Sequence, residues 1–141
     1  MCASPKTMPT KIHRTECTLD DDPRLIAGFS AIPSAGAAHA GLTGEDRETF
    51  TAAAIKSCQE AFAVMAREGR GGSGLRFAVA ATEGRVEATI EYAGPAPASA
   101  QNAACQCSTG HAARAQYDTR DGRCRVTLAM DCPEAKAKAR D

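Results

Sequence analysis

Leu75 to Gly94 reads LRFAVAATEGRVEATIEYAG, and its alternation sets the fold class. Leu75, Phe77, Val79 and Ala81 alternate with Arg76, Ala78 and Ala80; after Glu83-Gly84, Val86, Ala88, Ile90 and Tyr92 alternate with Arg85, Glu87, Thr89 and Glu91. A period of two places each set on its own face of a strand, and a two-residue break containing glycine between two such runs reads as an antiparallel hairpin.

Upstream, Thr43 opens a helix with Asp46 three residues on, in the manner of a capping box, and Phe50, Ala54, Cys58, Phe62 and Met65 form its apolar stripe. The glycine cluster EGRGGSG (Glu68 to Gly74) ends it. A phosphate-binding loop follows a strand, opens a helix and ends in Gly-Lys-Ser/Thr; here the order is reversed, so the cluster is a helix-to-strand connection. Further upstream, His13, Thr15, Cys17 and Leu19 alternate with Arg14, Glu16 and Thr18 as a half-buried strand. Asp22-Pro23 then starts a helix, with the carboxylate at the cap and proline at the first helical position. It reaches Ala40, and Pro33 and Gly36 are expected to kink or break it.

Downstream, Gly94-Pro-Ala-Pro-Ala-Ser99 halts the sheet, Ser99 caps a short helix to about Cys107, and Gly110 ends it. A last hairpin joins Ala112 to Asp118 with Arg123 to Asp131 through Asp121-Gly122. Residues 1–11 are a flexible lead-in, 12–132 form one domain, and Pro133 to Asp141 is a charged solvated tail. Strand, helices, hairpin, short helix and hairpin imply an α/β two-layer sandwich: a mostly antiparallel or mixed sheet with helices on one face.

At 141 residues the chain is one domain's length. Hydrophobic residues make up 43% of it, but 30 of them are alanine, so the core is low in volume. Lys+Arg and Asp+Glu balance at 17 each, which argues against a nucleic-acid partner. Without a membrane-span run or the apolar stretch of a signal peptide in MCASPKTMPTK, the expected location is cytoplasmic. Seven cysteines in such a compartment read as packing thiols rather than a disulfide framework.

Three scattered histidines give no Ser-His-Asp or Cys-His constellation, and no serine sits in a strand-to-helix elbow. The densest group of metal-ligand types is Cys105, Cys107, His111, Cys124 and Cys132. It has no Cys-x-x-Cys, its Cys-x-Cys pair points to different faces of a helix, and Cys124 lies on an apolar strand face, so no metal is expected there.

Taken together, the lead-in DDDPRLIAGFSAI followed by HAGLT, the helix AAAIKSCQEAF, the central hairpin and the closing strand CRVTLAM resemble the histidine-kinase-like (GHKL, Bergerat-fold) ATPase domain of anti-sigma factor serine kinases, over residues 13 to 131. That family places a Glu base and, four residues on, a Mg²⁺-binding Asn on one helix face. Here Glu60 matches the base, but Val64 stands at the Asn position and offers no oxygen to a hard cation. The family's Asp-x-Gly, whose Asp binds the adenine amino group, is represented by Tyr92 and Gly94, without the carboxylate. Only PAPA separates Gly94 from Ser99, where the family has a glycine-rich phosphate lid.

The resemblance implies ATP, but the missing site residues argue for a regulatory, protein-binding pseudoenzyme with a degenerate nucleotide site and no cofactor, for which the resemblance implies a sigma factor or an anti-sigma antagonist as partner. Two alternatives stand beside it: an active serine/threonine kinase using ATP and Mg²⁺, and a small-ligand or zinc-binding domain. Ser30 to Gly41, rich in alanine, is either packed on the sheet or the contact of a homodimer or partner.

Overall fold

The structure is a computed structural model and describes residues 13–20, 28–70, 73–97 and 114–132. Strand β1 (His13–Leu19) is followed by helices α1 (Ala31–His39) and α2 (Gly44–Arg67), then β2 (Leu75–Thr82), β3 (Arg85–Ala93), β4 (Arg114–Arg120) and β5 (Arg123–Asp131). The strands form one sheet in the order β1-β2-β3-β5-β4, every neighbouring pair antiparallel. The short helix expected from Ser99 to Cys107 lies outside the described residues.

Both helices cover the same face. Leu75, Phe77, Val79, Val86, Ala88, Ile90, Tyr92, Cys124, Val126, Leu128 and Met130 are buried beneath them, while the intervening residues point to the opposite face. The α/β two-layer arrangement with helices on one face is therefore present, and its sheet is wholly antiparallel among the described strands. Helix α2 buries Phe50, Ala54, Cys58, Phe62 and Met65, the stripe read from the sequence, with Ser57, Ala61 and Val64 beside it. Thr43 has the extended backbone of an N-cap but makes no side-chain cap hydrogen bond.

Helix α1 corrects one expectation. Pro33 and Gly36 do not break it; the helix runs from Ala31 through both to His39, and the interruption falls earlier, at Ser30. Pro33 sits in the first turn, where a backbone N–H has no partner within the helix, so its missing donor costs nothing there. Gly36 faces the sheet, where its missing side chain is what lets the helix approach Val79. The alanine-rich segment is likewise divided: Ala37 and Ala40 are fully buried, whereas Ala35 and Ala38 are exposed. Its inner face belongs to the core.

The closing hairpin turns through Asp121 and Gly122, at φ 54° and 76°. Two consecutive positive φ values make the tight turn whose twist matches the strands, and pairing continues to Arg120 opposite Arg123, two residues beyond the expected strand end. No helix among the described residues is long and apolar enough to cross a membrane.

Candidate functional site

Three of the four positions matched to a nucleotide site meet at one end of the sheet. Val64 lies one helical turn beyond Glu60 on α2, and a β-carbon at Gly94 would sit 3.4 Å from Val64 Cγ1 and 3.7 Å from the Tyr92 ring. Tyr92 is fully buried and its hydroxyl donates to the Pro95 carbonyl at 2.7 Å. Gly94, at φ 138°, donates its N–H to the Gly122 carbonyl at 2.8 Å, which ties the end of β3 to the closing turn. Burial pushes the Tyr92 phenol well above its ordinary range, with further contributions from Cys124, directly opposite it in register, from Tyr117 and from the nearby Glu60 carboxylate. Glu60 is half-buried at this cluster. The chemistry available is that of packing: a branched aliphatic and an aromatic side chain lie within van der Waals reach of where a side chain at Gly94 would begin.

The cysteine set separates. Cys124 and Cys132 are both buried, at the two ends of β5, so roughly 25 Å of strand lies between them and they cannot ligate one ion. Cys132 contacts the Gly41 carbonyl at 3.6 Å. Cys105, Cys107 and His111 lie outside the described residues. Among the described residues no group of three or more His, Cys, Asp or Glu is placed to hold a metal. Cys58 is buried, and that burial, with the neighbouring Cys17, pushes its thiol up to about 12; burial raises Cys17 as well.

The open face of the sheet carries a constellation that the sequence reading did not single out. Arg76, Glu91, Arg125 and Asp118 line up across β2, β3, β5 and β4. Glu91, only 22% exposed, accepts from Arg125 at 2.6 and 2.8 Å and lies 4.0 Å from Arg76. At the other end, Asp131 bridges Arg85 at 3.1 Å and Arg114 at 3.0 Å, and Arg85 also reaches Glu87 at 3.2 Å. Burial works against the Arg85 charge, but its hydrogen bonds and attraction to Asp131 and Glu87 more than offset this and raise its pKa.

Among the described residues the cations on this face are all arginine: Arg14, Arg76, Arg85, Arg114, Arg120, Arg123 and Arg125. Two clefts open onto it, one of about 310 Å³ floored by Ala78 and Thr89 and one of about 220 Å³ at the closing turn. They share Glu91 and Arg125. A third, of about 650 Å³, lies between α1 and α2, where Arg47 donates to Ser34 Oγ at 2.8 Å. None of these three clefts is lined by Glu60, Val64, Tyr92 or Gly94. The signal in the sequence was the run of charges on the outward positions of the hairpins; what it lacked was the pairing of β3 with β5, which aligns Glu91 with Arg125.

Comparison with protein-family models and with curated proteins finds no match.

Proposed function

We propose that this chain is a non-catalytic regulatory domain that acts by binding another protein, with the nucleotide site of a histidine-kinase-like ancestor closed by its own side chains. The observation that carries the reading is the convergence of Val64 and Tyr92 on the side-chain position of Gly94: where that site would require a metal-binding amide and an adenine-binding carboxylate, there is an aliphatic side chain and a buried phenol already bonded to Pro95. Neither residue fits Mg²⁺ or adenine, so no step through ATP is derived.

A second feature supports the binding half of the reading. Arginine is enriched and lysine depleted at protein interfaces, because the planar guanidinium makes several directed hydrogen bonds while its stem packs. Among the described residues the open face carries seven arginines and no lysine. The Bergerat-type resemblance makes a sigma factor or its antagonist the partner class to test first. An amide NMR spectrum of the full chain with and without Mg-ATP tests the closed site: Val64, Tyr92 and Gly94 are expected to stay in place, and saturable shifts at these three amides would overturn the reading in favour of the kinase.

A further inference from the structure

We propose that two copies of this chain associate by antiparallel pairing of β4 with β4, centred on Gln116, to make one continuous ten-stranded sheet. The inference is independent of the nucleotide-site reading.

The hydrogen-bonding edge follows from the closing turn. A two-residue turn makes Arg120 and Arg123 a hydrogen-bonded pair, and alternation then directs the backbone groups of Arg114, Gln116, Asp118 and Arg120 toward β5. Ala115, Tyr117 and Thr119 direct their N–H and C=O groups away from the sheet. Strand β4 is the last in the order, it runs seven residues without proline, and it is exposed along most of its length. Among the described residues neither helix packs closely on it.

The side chains select the occupant and the register. Residues opposite each other in an antiparallel pair share a face, so a two-fold axis must pass through a residue. Centring on Tyr117 sets Arg114 against Arg120 at both ends, and centring on Asp118 sets a carboxylate against itself. Centring on Gln116 pairs Arg114 with Asp118 of the second copy twice and lets the two Gln116 amides exchange donor and acceptor. On the helix side it places Ala115 against Tyr117.

Asp118 is ready for this role. It faces Arg125 in register, but Arg125 is held by Glu91, and among the described residues Asp118 makes no ion pair in the single copy. Arg114 uses one Nη on Asp131 and has further donors in its fork. The opposite edge differs: on β1 the equivalent charges, Arg14 and Glu16, already pair with each other at 3.0 Å.

Sedimentation of the full chain over a range of concentrations, with thermal melts as a folding control, tests the proposal. The wild type is expected to show a dimer of twice 14.7 kDa. Asp118→Arg and Arg114→Asp should each weaken it at least tenfold, and mixing the two variants should restore association, since both cross-pairs are then complementary. If either charge variant fails to fold, Ala115→Pro decides in its place, because it removes an outward N–H and leaves the β4–β5 bonds intact; a monomer is expected. A wild type that stays monomeric, charge variants that dimerise like the wild type, or a mixture that does not associate would each overturn the pairing.

Discussion

Gly36 and Val79 share one volume: a β-carbon added to Gly36 would overlap Val79 Cγ1, so the closeness of α1 to the sheet depends on hydrogen at this position. Val79 is β-branched and fully buried, and cannot rotate away cheaply. Gly36→Ala should therefore lose about 1–3 kcal/mol despite alanine's better helix propensity. Urea unfolding of Gly36→Ala, Val79→Ala and the double variant checks it: the double should be more stable than the sum of the singles implies, and simple additivity would refute the contact.

The same pair shows where the sequence was legible. Period-two alternation located β2, β3 and β5, and the stripe of Phe50, Ala54, Cys58, Phe62 and Met65 located α2, because each buries one face and exposes the other. Pro33 and Gly36 were misread because their local cost is real only in a helix interior away from packing; distance from the cap and proximity to Val79 decide it, and neither is local. The convergence of Val64, Tyr92 and Gly94 was available only through the family resemblance. The Arg76–Glu91–Arg125 row depends on β3 pairing with β5 across twenty-nine intervening residues from Ala93 to Arg123, and no periodicity encodes that.

Helix α1 separates buried from exposed alanine within one residue. Ala37→Arg should unfold the protein, since it places a charge at a fully buried site with no partner, whereas Ala38→Arg should change stability by less than about 0.5 kcal/mol. Thermal melts of the two variants side by side check this.

Alkaline pH should destabilise the fold through Cys58. Its folded-state pKa is raised from 9.0 to about 12, so the unfolded thiol ionises first; the stabilising contribution is fully present below about pH 9 and is lost as pH rises toward 12. Tyr92, also raised, acts in the same direction from 10.0 upward. Unfolding free energy should fall by about 1.5 kcal/mol between roughly pH 8 and 10, and Cys58→Ala should flatten most of that slope.

At the closed end of the sheet, Tyr92→Phe removes the donor to the Pro95 carbonyl and should cost about 1 kcal/mol. Gly94→Ala should cost more, because alanine is strained at φ 138° and its β-carbon meets Val64 and Tyr92. Denaturant midpoints rank the two, and the reverse order would contradict the packing described for this corner.

Calorimetric titration of the full chain with Mg-ATP tests the central claim most directly. On the proposed reading Val64 and Tyr92 stand where a metal ligand and an adenine ligand would be needed, and the expected result is no saturable heat, corresponding to a Kd weaker than about 1 mM. A Kd in the micromolar range that disappears when Mg²⁺ is chelated would contradict the account and favour the kinase reading.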